Sequence, residues 1–155
     1  MDDTAFVSAE NVGGRLRALR TGRGLTKIGL AKKLDPACTA ASITKWERGE
    51  CLPTLYYAVK LAKAFGVSMD ELYLGLPPRD CEHIEAETVG KRIRAHRKRQ
   101  KLTLFRLGIA IGMAEPNIIQ WEADRIDPNL TNAAKICATL GISLDELVGK
   151  ENIIR

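Results

Sequence analysis

Apolar residues recur along this chain with helical spacing, separated by short polar segments. Val12, Leu16 and Leu19 fall at positions i, i+4 and i+7, so they share one face of a helix. Ser8 precedes that helix as an expected N-cap. Strict alternation of apolar and polar residues, the mark of half-buried strands joined by hairpins, is missing from the sequence. The pattern predicts an all-α protein.

Four more helices are predicted before residue 76. Ile43 and Trp46, three residues apart, form the inward face of the third helix, and Gly66 ends the fourth at its C′ position. The other helices begin at hydroxyl residues that can act as caps: Thr26, Thr54 and, in a capping box with Glu71, Ser68. Residues up to 75 therefore predict a bundle of five short helices.

The chain contains an internal repeat. Residues 12–75 align with residues 89–150 at an offset of 77 positions, which becomes 75 after the second helix, and about one aligned position in three is identical. Three of the matched strings are Val12-Gly13 with Val89-Gly90, Trp46-Glu47 with Trp121-Glu122, and Ser68-x-Asp70-Glu71-Leu72 with Ser143-x-Asp145-Glu146-Leu147. We therefore predict two copies of one small domain, repeat one over 8–75 and repeat two over 89–150. Both tryptophans are expected to serve as packing residues.

Residues 76–88 form the predicted linker between the repeats. They contain Pro77-Pro78 and four acidic side chains, which indicates a stiff, extended joint. The whole chain has 24 Lys and Arg against 19 Asp and Glu, a net charge of +5. Because the acids are concentrated in the linker and in residues 1–11, both repeats are basic.

Several classes of protein are disfavoured by composition. No apolar run approaches the ~18 residues that a membrane-spanning helix needs, and the acidic start of the chain is unlike a secretory signal. The four cysteines include no C-x-x-C pair. No nucleophile–base pattern, acid–base carboxylate pair or glycine-rich phosphate loop is evident. We expect a cytoplasmic protein that is not an enzyme and needs neither a metal nor a cofactor.

The ordered motifs of each repeat resemble the Cro/C1-type, or xenobiotic-response-element-type, helix-turn-helix family. In repeat one these motifs are Leu25-Thr26, Ile43-x-x-Trp46-Glu47-Arg48-Gly49, Pro53-Thr54-Leu55 and Ser68-x-Asp70-Glu71-Leu72. The resemblance covers nearly the whole chain, once per repeat. It implies two lambda-repressor-like five-helix domains in tandem, and a transcriptional regulator whose expected effect is repression.

The resemblance also implies roles for particular residues. It pairs Arg20 with Glu47, and Arg97 with Glu122, so that helix one is oriented against the end of helix three. The implied DNA-facing positions of repeat one lie around helices two and three: Thr26, Lys27, Thr39, Ala40, Ala41, Ser42, Thr44, Lys45 and Arg48. Lysines can donate to guanine or phosphate, hydroxyls can bond either, and alanines can meet a thymine methyl group.

Repeat two departs from that pattern. Three of its matching positions are poor hydrogen-bond donors and form an expected dimer or partner surface: Leu104, Pro116 and Ile119. Asn117 and Gln120 are the candidate DNA ligands that it keeps. Asp124 adds a carboxylate where repeat one has Gly49. Repeat two is therefore expected to be a dimer or partner surface, or a heavily altered DNA reader.

The first helix of repeat two is unusually basic. Its cations lie between Lys91 and Lys101, and they form either a solvated face or a grip on the DNA backbone. His96 replaces Leu19 in the inward stripe, which predicts a buried neutral histidine and, as the alternative, a pH sensor.

Two functions remain open at this point. The first is sequence-specific binding of double-stranded DNA, with repeat one reading the major groove and repeat two giving dimerisation, backbone contacts or a second half-site. Two heads ~34 Å apart are needed, and either one chain or a homodimer could supply them; the difference between the repeats favours the homodimer. The alternative is a protein-interaction regulator, an antitoxin or antiactivator, that binds its partner through repeat two.

Overall fold

The computed structural model describes residues 7–34 and 36–149 of the chain. All regular structure in those two segments is helical, so the predicted all-α fold is confirmed. Repeat one contains α1 (Ala9–Gly22), α2 (Lys27–Lys33), α3 (Ala40–Glu47), α4 (Leu55–Phe65) and a π-helical turn (Asp70–Leu74). Repeat two contains α5 (Val89–Arg99), α6 (Leu104–Ile111), α7 (Glu115–Glu122), α8 (Leu130–Leu140) and α9 (Leu144–Val148). Each repeat therefore has five helical segments in the same order.

Local hydrogen bonds begin and end these helices where the sequence predicted. The side chains of Ser8, Thr26 and Thr54 accept hydrogen bonds from the backbone N–H three residues on. Gly66 adopts the left-handed conformation that ends α4, with φ of 63°. These cap predictions are confirmed.

The predicted capping boxes are only half present in repeat two. Ser143 Oγ accepts from the N–H of Glu146 at 3.0 Å, and Ser68 does the same for Glu71. The Glu146 side chain, however, accepts from the linker backbone, the N–H of Ile84, at 2.8 Å. The carboxylate thus holds the linker and does not return to its own helix N-terminus as a capping box requires.

Each repeat packs its helices around a small aliphatic core. Leu16 from α1, Ile43 from α3 and Leu61 from α4 are fully or almost fully buried, and Trp46 joins them. Trp121 is buried at the equivalent place in repeat two. The packing role predicted for the two tryptophans is confirmed by this burial.

The linker lies against the repeats and adopts no helix between Leu76 and Glu87. Arg79 Nε donates to the buried Asp70 carboxylate at 2.7 Å, and Arg79 Nη2 donates to the carbonyl of Ile142 at 3.3 Å. His83 Nδ1 lies 2.8 Å from the Glu146 carboxylate. The joint is therefore fixed by polar contacts to both repeats. Over 7–34 and 36–149, no helix is long and apolar enough to cross a bilayer.

Candidate nucleic-acid interface

A buried arginine holds helices two and three of each repeat against helix one. Arg20 donates to both carboxylate oxygens of Glu47, at 2.5 and 3.0 Å, and its third bond goes to the carbonyl of Leu25 at 2.7 Å. The hydrogen bond with Glu47 raises the pKa of Arg20, although burial opposes the shift. The first helix thereby fixes the end of α3 and the start of α2 at once. The pair that the resemblance implied is present.

Repeat two contains the same arrangement. Arg97 donates to the two Glu122 oxygens at 2.6 and 2.8 Å and to the carbonyl of Leu102 at 2.8 Å. A bidentate Arg–carboxylate pair has one preferred geometry, so it sets the angle between the helices that carry it. The same bidentate Arg–Glu pair therefore orients the helix-turn-helix unit in both repeats.

Close backbone contact completes that attachment. A Cβ atom on Gly13 would lie 2.6 Å from the carbonyl oxygen of Trp46, and one on Gly90 would lie 2.1 Å from that of Trp121. Only glycine lets helix one approach the end of helix three so closely. At the turn between α6 and α7, Gly108 approaches the Met113 carbonyl in the same way.

The turn of repeat one is longer than that of repeat two. Six residues, 34–39, separate α2 from α3, whereas three residues, 112–114, separate α6 from α7. Asp35 of the longer turn lies outside the described residues. The buried Ala31 takes the position of Gly108 on the helix before the turn.

The outer face of α3 carries Lys45 as its long, exposed, charged side chain. The hydroxyl groups on this helix already have internal partners. Thr39 Oγ1 accepts from the N–H of Ser42 at 3.1 Å, and Thr44 Oγ1 donates to the carbonyl of Ala40 at 2.9 Å. Thr39, Ser42 and Thr44 therefore help to hold α3 in addition to their predicted role as DNA ligands.

Further candidate contacts of repeat one flank that helix. Ala41 and Arg48 are exposed, and an Arg48 nitrogen lies 3.7 Å from a carboxylate oxygen of Glu50. Thr26 is exposed at the start of α2, where its Oγ1 accepts from Gly29 and its hydroxyl hydrogen can still donate to a phosphate. Lys27 is half-buried beside it.

The equivalent face of repeat two is largely apolar. Ile119 is 45% exposed on α7, with Asn117 and Gln120 half-buried on the same helix. Pro116 lies in the first turn of α7 and has no N–H to offer, and the α7 N-cap, Ala114, provides no side-chain cap.

Leu104, a predicted residue of the dimer or partner surface, is half-buried. Its side chain packs partly against the core, because it begins α6 on the inward side. The large exposed apolar side chains of α6 are Phe105 (60%) and Ile109 (67%), which line an open groove with Met113. Sequence reasoning missed both, although they fall outside the inward stripe formed by Leu107 and Ile111 and were detectable from that spacing.

Asp124, the carboxylate that repeat two carries in place of Gly49, is exposed and also bonds within its own domain. Its carboxylate accepts from the N–H of Gly90 at 2.9 Å and from the Thr88 hydroxyl at 2.6 Å, so it caps the N-terminus of α5. The residue has φ of 54°, and Gly49 holds a similar conformation at the matching place in repeat one. The left-handed backbone turns the Asp124 side chain towards its own domain.

The basic residues of α5 do not form a single surface. Arg92, His96 and Arg97 are buried, whereas the linker acids Glu87 and Glu82 pair with Lys91 and Arg99 respectively. His96 is buried as predicted, with its Nε2 3.0 Å from Glu146. The linker therefore neutralises part of the charge that was expected either to be solvated or to grip DNA.

Comparison with known proteins identifies the family. A family model described as "Helix-turn-helix" (HTH_3) matches residues 16–72 and again residues 93–147. The chain belongs to the Cro/C1-type helix-turn-helix family. Both copies of this helix-turn-helix domain are matched separately, which agrees with the internal repeat.

Two curated relatives and one solved structure resemble this tandem helix-turn-helix protein. It is 35% identical over 68 residues to an immunity repressor protein of Bacillus phage phi105, a match covering 44% of this chain and 47% of the repressor. It is 41% identical over 61 residues to the HTH-type transcriptional activator BcrR of Enterococcus faecalis, covering 39% of this chain and 29% of the activator. The chain thus spans less than half of each of these relatives.

The solved structure is that of the P22 c2 repressor protein in complex with synthetic operator 9T in the presence of Tl+. It is 35% identical, with a TM-score of 0.40, and the match covers 41% of this chain and 96% of that protein.

Proposed function

We propose that this protein is a sequence-specific, double-stranded-DNA-binding transcriptional regulator, with repression as its expected effect. The observation that carries the proposal is the placement of α3. Its inner side is fixed to α1 through Arg20, Glu47 and Gly13, while Lys45 on the helix and Arg48 at its C-cap are exposed. A rigid helix with exposed donors is suited to the major groove.

Family membership and charge support the same proposal. The family is one of transcription regulators and not of enzymes, and relatives named as a repressor and an activator match this chain. The chain carries a net charge of +5, which favours a polyanionic partner. In the proposed complex, repeat one places Lys45 at base edges, while Thr26, Lys27 and Arg48 contact phosphates.

Selection from a random duplex library at moderate salt tests this function. We expect enrichment of a defined sequence, and binding to that sequence should weaken as salt rises, because lysine and arginine contacts to phosphate release counterions. Weak, salt-sensitive binding without any enriched sequence would contradict the proposal.

A protein-interaction regulator, such as an antitoxin or antiactivator, is the second candidate function. One observation favours it: Phe105, Ile109 and Ile119 expose apolar side chains on the helix-turn-helix of repeat two. If it is right, a protein partner should form a stable complex that Ile119→Asp disrupts, and duplex DNA should show no sequence preference.

A further inference from the structure

The two repeats contact each other through equivalent residues in a reciprocal manner. The Asp70 carboxylate accepts from the N–H of Leu144 at 2.9 Å, and the Asp145 carboxylate accepts from the N–H of Met69 at 2.9 Å. Asp70 corresponds to Asp145, and Met69 to Leu144, at the same offset of 75 residues. In each repeat, the aspartate thus accepts a hydrogen bond from the equivalent backbone N–H of the other repeat.

Reciprocal contacts between equivalent residues are the signature of a two-fold relationship, which is usually found between identical subunits. A two-fold rotation leaves the position along its axis unchanged, so equivalent surfaces lie at the same height along that axis, on opposite sides of it. The contact involves the fifth helical segment of each repeat, the π-helical turn and α9, and leaves the helix-turn-helix units outside it. The helix-turn-helix of repeat one and that of repeat two are consequently related by the same approximate two-fold.

The contact between the repeats is partly buried and is reinforced by the linker. Asp70 is fully buried, and its second oxygen accepts from Arg79, which also bonds the carbonyl of Ile142. Buried carboxylates keep fixed partners because an unmatched one is costly. The linker residue Arg79 therefore stabilises the contact between the two repeats.

Repeat two keeps features of a DNA-binding head. Arg106 in the first turn of α6 and Arg125 just after α7 are exposed. The exposed Phe105 corresponds to Ile28, which is 60% exposed in repeat one, so an apolar side chain at this place is common to both heads.

We propose that a single chain is the DNA-binding unit, an intramolecular pseudo-dimer whose two heads read two dissimilar half-sites about one helical turn apart. Repeat one reads through the donors of α3. Repeat two reads through Ile119, which meets thymine methyl groups, with Asn117 and Gln120 beside it and Arg106 and Arg125 on phosphates. This inference rests on the proposed function and goes beyond it in naming an asymmetric operator, with one chain in place of the homodimer that the difference between the repeats favoured.

The stoichiometry of the complex on the selected duplex provides the first test. We expect sedimentation or native mass spectrometry to give one chain per duplex, and footprinting to protect two dissimilar half-sites on one face. Replacing thymine by uracil in the second half-site removes only methyl groups and should weaken binding by roughly 3- to 10-fold per position. A palindrome holding two chains, or a lone half-site, would overturn the inference while leaving the proposed function intact.

Half-site spacing provides the second test. Inserting five base pairs turns the second half-site to the opposite face, and we expect affinity to fall on the order of 100-fold. The double variant Asp70→Ala/Asp145→Ala removes the reciprocal bonds. Its spacing penalty, the loss of affinity caused by the five inserted base pairs, should therefore shrink to about tenfold or less. Its matched control, Glu71→Ala/Asp80→Ala, removes two exposed carboxylates from the same region and should keep the full penalty.

The outcomes separate the two proposals. An unchanged spacing penalty in a folded Asp70→Ala/Asp145→Ala variant would overturn the inference. If that variant does not fold, as judged by circular dichroism, the stoichiometry and footprint of the unaltered chain decide the question. Failure to enrich any sequence would overturn the proposed function, and the pseudo-dimer proposal with it, in favour of a protein partner.

Discussion

The carboxylate of Glu146 lies 3.0 Å from Nε2 of His96, and both side chains are buried in repeat two. The same carboxylate accepts from the N–H of Ile84 and lies 2.8 Å from His83 Nδ1. The matching positions of repeat one are Leu19 and the exposed Glu71. The cluster is thus specific to repeat two, where it attaches the linker to α5 and α9.

The environment of Glu146 leads to a prediction of how the stability of the fold depends on pH. Burial acts to raise its pKa, but hydrogen bonds from Ile84, His83 and His96 outweigh burial, so the pKa is lowered. A lowered pKa in the folded state gives stability that is present above the unfolded value of ~4.3 and is lost as pH falls through the folded pKa. Urea unfolding between pH 7 and pH 3 should show this loss for the unaltered protein.

Glu146→Gln should flatten that pH dependence. We expect the variant to be less stable at pH 7 by about 1–3 kcal/mol, because charge-assisted hydrogen bonds to buried partners are lost. Glu71→Gln, the same change at the exposed equivalent position, should leave the unfolding midpoint unchanged. Parallel pH profiles for the unaltered protein and Glu146→Gln would show that this carboxylate is not the titrating group.

The Arg97–Glu122 pair predicts a non-additive response to mutation. Arg97→Met leaves the Glu122 carboxylate buried without its partner and should lower the free energy of unfolding by about 3–5 kcal/mol. Arg97→Met/Glu122→Leu should recover most of that loss, because an apolar pair requires no desolvation of charge. A double-mutant cycle by urea denaturation measures the coupling, and additive losses would contradict this account.

Alanine substitutions at the neighbouring glycines Gly13 and Gly14 of α1 should change the free energy of unfolding in opposite directions. Gly13→Ala places a Cβ 2.6 Å from the Trp46 carbonyl, so helix one and helix three must move apart. We expect a loss of several kcal/mol, on the order of the cost of overpacking a core. Gly14→Ala meets nothing within 4 Å and should stabilise the same helix by about 0.5–1 kcal/mol. Thermal unfolding of the two variants compares them directly.

Lys45 should contribute to discrimination between the selected DNA sequence and unrelated DNA. On the selected duplex we expect Lys45→Ala to lower affinity by about 10- to 100-fold, with a smaller loss on unrelated DNA, as for a base contact. Lys63→Ala, an exposed lysine at the end of α4, is the charge-matched control and should have little effect. An equal loss on all sequences, with a salt dependence reduced by about one counterion, would instead make Lys45 a phosphate contact.

Local sequence was sufficient for the helices themselves. Ser8, Thr26 and Thr54 bond N–H groups three residues away, a distance set by the backbone of one helical turn. The apolar stripe likewise identified Ile43 and Trp46 as core residues. Such features depend only on neighbours along the chain, so sequence by itself determined the helical segments, the repeat and the positions of α3 and α7.

Tertiary structure decided which polar side chains face the solvent and which face the protein. Asp124 bonds the N–H of Gly90 34 residues earlier, Glu146 bonds a histidine 50 residues away, and Asp70 bonds a backbone N–H 74 residues away. No local spacing encodes these pairs. They exist because the helices dock at particular angles, and a buried charge is stable only where docking brings it a partner. The reciprocal contact between the repeats therefore became visible only in the folded chain.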